Sequence, residues 1–588
     1  MNLFDTFKEV VAGAVAELVG SGALSGVEDM TNIGVEPPRD ATHGDISTNG
    51  ALVLAKQAKM KPRDIAELLV PELQKHQDIE VVDIAGPGFI NIKLVPGVWP
   101  DLVKTIVSEG ADYGRSDIGK GERVNVEYVS ANPTGPLHVG HCRGGIFGDA
   151  LARLLTAVGY DVDKEYYFND AGVQIDVLAK SAYLRYREAC GEDIGEIPSG
   201  LYPGIYLKKL GAELATKYGD KFLNEPEDVW MDIIRQDAVA FNMAAIKDDL
   251  AALNITHDIL FNESSLHVPD NEGLSKIDRT LEELRARDIV YEGHIPAPKG
   301  QPVEDWEDRE QTLFRAENFG DEMDRPLAKS DGSYTYFAAD VAYFRDKYER
   351  GYKKMIFVLG ADHGGYVRRL EAVCDAISGG EAEVVVLINQ LVKLFRAGEP
   401  VRMSKRAGEF VTLRDVVDEV GSDVVRFMML YRKNEAPLDF DFVKVTEQSR
   451  DNPVFYVQYA HARICSVFGK VPQTFPQLDV SQNGLLNADF SCLQDDAERA
   501  VMRKLAEYPR IISSAATHYE PHRIAFYLYD LAGEFHALWN KGKELPQLRF
   551  IREDSVELTT GRLALLAAIR YVLANGLKIL GVKPVEEM

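Results

Sequence analysis

Two histidines, His138 and His141, stand in the run Pro133-Thr-Gly135-Pro136-Leu-His138-Val-Gly140-His141. Only 12 histidines occur in 588 residues, so a pair framed by proline and glycine carries chemical meaning. Residues three apart share a helix face, and both imidazoles can address whatever lies over the end of that helix. A helix N-terminus offers free N–H groups and partial positive charge, which suits the polyphosphate of a nucleotide. Gly140, with no side chain, lets a flat ring approach the backbone. The competing readings are a metal pair and two incidental histidines. Zinc needs a third and fourth ligand, and only Cys142 is close in sequence.

These residues need a rigid frame. Val124 to Ser130 is β-branched and aromatic and reads as a buried strand. Pro133, Gly135 and Pro136 make a turn. Leu151, Leu154, Leu155 and Val158 then recur at helical spacing, and Gly159 ends the run. Asp163 to Phe168 reads as a second strand, so the unit is βαβ and implies an α/β fold with a parallel sheet. Further strands are expected at 355–360 and 383–388, and Tyr336 and Asp340 share one face of a helix running to Arg350. Ligands of such sheets bind beyond the C-terminal strand ends, where Ser130 to His141 and Asn169 to Gln174 fall. Residues 175 to about 330 are charged and mostly helical and read as an insertion, with His257, His267 and His294 structural.

His138-Val-Gly140-His141 resembles the HIGH signature of class I aminoacyl-tRNA synthetases. The longer string from Glu127 through Ser130, Asn132 and His138 to His141 resembles arginyl-tRNA synthetases in particular. Far downstream, Arg402-Met403-Ser404-Lys405-Arg406-Ala-Gly408 resembles the KMSKS signature, with arginine at its first and last positions. The resemblance spans essentially the whole chain. It implies an N-terminal additional α+β tRNA-contacting domain at 1–105 and a Rossmann-like catalytic domain at 106–400. An MSKR loop and helical stem follow at 401–450, then an all-helical anticodon-binding domain at 451–588. It also implies a ligase that converts L-arginine and ATP to arginyl-adenylate and passes the arginyl group to the terminal ribose of tRNA(Arg). His138, His141 and Lys405 are then catalytic, and Gly140, Met403 and Ser404 help them hold ATP, which Mg²⁺ accompanies. A guanidinium pairs bidentately with carboxylates. Glu127 and Asp340 are the candidates, with Tyr336 packing on the same group and Asp362 as a further acid. The resemblance places Ser130 and Asn132 at the substrate's α-amino end, bordered by His138.

Composition sets limits. The net charge of −26 argues against a generally sticky nucleic-acid binder, leaves room for RNA binding through a local basic face, and predicts marked salt sensitivity and a patchy surface. Cys142, Cys190, Cys374, Cys465 and Cys492 are odd in number and never form a CxxC pair, which fits a reducing, cytoplasmic setting without structural zinc. Met-Asn-Leu-Phe-Asp shows no secretory pattern. Leu563 to Leu580 contains Arg570, Asn575 and Lys578 and reads as a buried helix, not a membrane span. A monomer is expected. Phe526, Tyr527, Tyr529, Phe535 and Trp539 interleave with Lys541 and Lys543, a pattern that either stacks unpaired bases or forms core. Three alternatives stay open: a class I synthetase for another amino acid, a small nucleotidyltransferase, and an RNA-binding paralogue without activity.

Overall fold

The computed structural model describes residues 2–294, 310–401 and 411–588. Arg402, Met403, Ser404, Lys405 and Arg406 therefore lie outside the described residues. The chain forms two compact units, residues 119–447 and residues 1–118 together with 448–588.

The unit of residues 119–447 is built on a five-stranded sheet. Its strands are β1 (Arg123–Glu127), β2 (Asp161–Phe168), β3 (Ile259–Asn262), β4 (Lys354–Gly360) and β5 (Glu383–Asn389), in the order β5-β4-β1-β2-β3. Every pairing is parallel. Val124, Val126, Met355 and Ile356 are fully buried, as central parallel strands covered on both faces require. The order reverses direction between β1 and β4, which opens a crevice at their C-terminal ends. Helix α1 (Val139–Ala157) joins β1 to β2. Its Gly148 lies so close that a Cβ there would come within 2.3 Å of Tyr128.

Helices α2 (Val173–Ala189), α3 (Tyr206–Tyr218) and α4 (Glu227–Ala252) share a separate apolar core around Tyr186, Phe222 and Trp230. The chain then returns to the sheet as β3. The stretch 175–330 is thus not wholly an excursion, because it supplies the sheet's edge strand. Helices α5 (Tyr336–Glu349) and α6 (Val367–Ser378) pack on the half of the sheet near β4. The strand expected to reach Ser130 stops at Glu127. Val129 has φ +68° and Ser130 φ +40°, conformations closed to a strand. Ser130 N–H donates to the Tyr128 carbonyl at 3.0 Å, the two-residue closure of a γ-turn.

In the second unit, helix Leu3–Gly20 and a four-stranded antiparallel sheet precede helix Val98–Glu109. These share one core with helices Pro453–Thr474, Asp496–Thr517, His522–Glu544 and Val556–Ile579. Tyr113 hydroxyl donates to the Leu505 carbonyl at 3.1 Å, Arg503 Nε to Asp45 Oδ1 at 2.6 Å, and Asn575 Nδ2 to the Gly110 carbonyl at 3.1 Å. Of the aromatics considered for base stacking, Tyr527 and Phe535 are buried and belong to this core. Tyr529 and Trp539 are half-buried and Phe526 is exposed. Among the described residues no helix is long and apolar enough to cross a membrane.

Candidate active site

His138 is the N-cap of α1, and His141 is the third residue of the helix. The Gly140 N–H donates to His138 Nδ1 at 3.1 Å, and the His138 N–H donates to His141 Nδ1 at 3.3 Å. Each ring accepts one of the helix's otherwise unpaired amide protons, a capping box made of two imidazoles. With Nδ1 accepting, the proton of each neutral ring resides on Nε2. Burial, and next to it the neighbouring His138, push the His141 imidazole down to about 4, so it is neutral at physiological pH. The rings stack with centroids 3.9 Å apart and planes 24° apart. In-plane lone pairs of nearly parallel rings cannot both meet one ion at the roughly 2.0–2.1 Å zinc needs, so the metal-pair reading fails on geometry. Gly140 is required sterically, since a Cβ there would lie 2.8 Å from the His138 ring.

The γ-turn after β1 brings Ser130 back toward Glu127. Ser130 Oγ donates to Glu127 Oε1 at 3.0 Å and accepts from the Tyr167 N–H at 3.2 Å. Both border a cavity of about 480 Å³ in the crevice between β1 and β4. Helix α5 forms the opposite wall with Tyr336, Asp340 and Tyr343, at spacings of four and three that keep them on one face. Tyr336 is 72 % exposed at the rim.

Three carboxylates surround this cavity: Glu127, Glu263 and Asp340. Asp340 is half-buried and accepts from the Tyr366 hydroxyl at 2.8 Å. Burial pushes its carboxyl up to about 7; Tyr366 opposes this, while Glu263 and Glu127 add repulsion. Arg369, 4.9 Å from the Tyr366 ring, relieves part of it. Glu263 accepts from the Tyr167 hydroxyl at 2.6 Å, and burial raises its carboxyl too. Glu127 pairs with Lys347 at 2.6 Å, and Glu263 lies 4.0 Å from His267 Nε2; among the described residues no lysine or arginine lines the cavity. Negative charge is therefore in excess, and the cavity suits a cationic guest.

Asn132 borders this cavity and also a second one of about 480 Å³, lined by Pro136, His138, His141, Tyr202, Tyr206 and Thr412. Its side chain is held by Gln174 Oε1 at 3.1 Å and by the Asn169 N–H at 3.3 Å. A cationic substrate and a nucleotide would meet there. The chain re-enters this region directly after residues 402–410. Leu413 N–H donates to the Leu137 carbonyl at 2.8 Å, and Thr412 pairs as a β-bridge with His138.

Asp362 is exposed, 3.6 Å from His363 Nε2, and does not line the acidic cavity. Its charge opposes the downward shift of the His141 imidazole. The sequence reading omitted Glu263, Tyr167, Tyr343 and Tyr366. Glu263 carried a usable signal, because it follows the last residue of β3, at the ligand-binding edge of the sheet.

Three family models match the chain. The arginyl tRNA synthetase N terminal domain covers residues 5–94, the class I (R) tRNA synthetase catalytic domain covers 102–197 and 303–441, and the DALR anticodon binding domain covers 457–588. The chain is 57 % identical to an arginine–tRNA ligase of Rhizobium rhizogenes and 56 % identical to one of Xanthobacter autotrophicus, covering 100 % of both partners in each case. Its fold matches the arginyl-tRNA synthetase of Thermus thermophilus with TM-score 0.71 at 21 % identity, covering 100 % of each chain. The corresponding enzyme of Plasmodium falciparum gives TM-score 0.71 at 17 % identity, covering 100 % of this chain and 99 % of that one. Identity at this level over the full length matches the cationic guest that the acidic cavity calls for: the chain belongs to the arginyl-tRNA synthetase family, class I enzymes that ligate L-arginine to tRNA(Arg) with ATP.

Proposed function

We propose that the acidic cavity takes the arginine side chain and that the adjoining cleft at the start of α1 takes ATP. The observation that carries this is Asp340, a carboxyl raised by burial and by two neighbouring acids, facing a cavity that no lysine or arginine among the described residues lines. A guanidinium supplies the missing charge and matches a carboxylate with two parallel N–H donors. Glu127 Oε1 and Glu263 offer further acceptors, and Tyr336 covers the rim. Ser130 and Asn132 face the α-amino and carboxylate end, bordered by His138.

In the first step a carboxylate oxygen of arginine attacks the α-phosphorus of ATP in line, and pyrophosphate leaves with the bond electrons. The barrier is mostly positioning and charge. The Nε2–H groups of His138 and His141, fixed by their capping bonds, donate to phosphate oxygens. Lys405, with Met403 and Ser404, follows the leaving pyrophosphate from the other side. Mg²⁺ enters with ATP as part of the substrate. In the second step the terminal ribose hydroxyl of tRNA(Arg) takes the arginyl group from AMP.

Residues 1–105 and 451–588 are taken as the RNA-contacting regions. Arg463 stands 4.0 Å over Tyr459 and 4.9 Å over Trp539, a cation–aromatic cluster of the kind that stacks unpaired bases. Five free cysteines support a cytoplasmic, reducing setting.

ATP–pyrophosphate exchange, surveyed across amino acids with and without RNA, tests this reading. Exchange is expected with arginine alone among the amino acids, and only after tRNA(Arg) is added. The coupling is proposed because Thr412 and Leu413, which follow residues 402–410 in sequence, bond to His138 and Leu137, so RNA that prefers the assembled state would shift its population. Strong exchange in RNA-free enzyme would refute the coupling. Exchange with a different amino acid would refute the cavity assignment.

A further inference from the structure

Behind the acidic cavity sits an ammonium with no solvent contact. Lys347 is 0 % exposed and continues the face of α5 that carries Tyr336, Asp340 and Tyr343. Its Nζ donates to Glu127 Oε2 at 2.6 Å and to Asn125 Oδ1 at 2.8 Å. It stands 4.2 Å over the Phe357 ring and 4.7 Å over the Tyr343 ring. Glu127 Oε2 also shares the single Tyr343 hydroxyl proton, at 2.9 Å, with Glu165 Oε1 at the same distance. The inner oxygen of Glu127 is therefore held by two donors from α5, while Oε1, bonded to Ser130, stays on the cavity side.

We propose that Lys347 is a positioning residue for arginine selection. It clamps Glu127 through the inner oxygen, so that the outer oxygen meets the guanidinium from a fixed position. The inference rests on the reading of this cavity as the arginine site. The neighbouring groups explain why a resident cation is needed. Glu127 shares its surroundings with Asp340, Glu263 and Glu165, so negative charge gathers around it. Glu165 has its own direct partner, since Arg350 binds it through two N–H groups at 2.8 and 3.0 Å. Lys347 also acts on Glu165 electrostatically, but its direct bonds go to Glu127 and Asn125. A buried ion pair is seldom a net source of stability compared with apolar packing, so a role in fixing geometry accounts better for this one.

The test measures the arginine KM in aminoacylation, at saturating ATP and tRNA, for Lys347→Met, Glu127→Gln and the double variant. Each single change is expected to raise the arginine KM about tenfold or more, with the ATP KM held within about twofold. The double variant should match Glu127→Gln alone, because the clamp then has no charge left to hold. Should the two effects multiply, or Lys347→Met leave the arginine KM unchanged, the positioning role is overturned. An unchanged arginine KM in Glu127→Gln would instead overturn Glu127 as an arginine ligand. If Lys347→Met fails to fold, the charge-balanced double variant still decides: an arginine KM equal to that of Glu127→Gln supports the clamp, and a further rise overturns it.

Discussion

Asp340→Asn is expected to weaken arginine binding by about 2 to 4 kcal/mol, roughly 30- to 700-fold, with ATP binding little changed. The variant keeps the shape of the side chain but loses one acceptor and the negative charge. Comparable losses for both substrates would show that Asp340 supports the fold rather than the guanidinium. The wild-type enzyme should also report this residue through pH. Its carboxyl is raised to about 7 in the empty cavity and must lose its proton to pair with arginine. Below that pH, kcat/KM for arginine should fall about tenfold per unit, and above it should level off. At saturating arginine, kcat should stay flat, because the bound cation keeps the carboxylate ionised. A stability effect accompanies this. With the folded pKa above the ordinary value of 3.8, the native state holds a proton that the unfolded chain has lost. Asp340 therefore makes the fold less stable as pH rises from about 4 to about 7, and Asp340→Asn should flatten that slope in thermal melts.

Lys405→Ala is expected to slow adenylate formation about 100- to 1000-fold while arginine binding persists. Charge on the α-phosphate and the departing pyrophosphate develops only in the transition state, so a donor aimed at it contributes little to ground-state affinity. The lysine belongs to a run that re-enters the described chain at Thr412 and Leu413, tied to His138 and Leu137. Single-turnover formation of arginyl-adenylate on the tRNA-bound enzyme is the measurement. A full rate in the variant removes Lys405 from the catalytic set.

The legible parts of the molecule were those where local chemistry and periodicity agree. The apolar stretches around β1, β2, β4 and β5 announced the parallel sheet, and the run from Pro133 to His141 announced its loop and helix. The pairing of Tyr336 with Asp340 on one helix face followed from spacing alone. What stayed hidden required partners distant in sequence. Nothing near Lys347 says that Glu127 lies opposite, 220 residues away. The end of β1 at Glu127 was missed because Val129 is β-branched and favours strands, yet tertiary contacts hold it at φ +68°. Glu263 was passed over because four-residue β3 is too short to stand out among the surrounding helices. His138 and His141 were read as donors on one face, but their mutual capping depends on ring orientation, which no spacing encodes.

The sharing of one core by residues 1–118 and 448–588 has a consequence for synthesis. Tyr113, Asp45 and the Gly110 carbonyl find their partners in Leu505, Arg503 and Asn575. A ribosome adding about 5 to 20 residues per second spends roughly 20 to 70 s translating 119–447 between the two halves. Through that interval the nascent N-terminal stretch carries the apolar surface that helices 496–517 and 556–579 will later cover. The sheet of residues 119–447 can form meanwhile, but the outer unit waits until the last helix has left the exit tunnel. Emergence of helix 556–579 is then a folding event as well as a translational one, and chaperone occupancy should concentrate on residues 1–118.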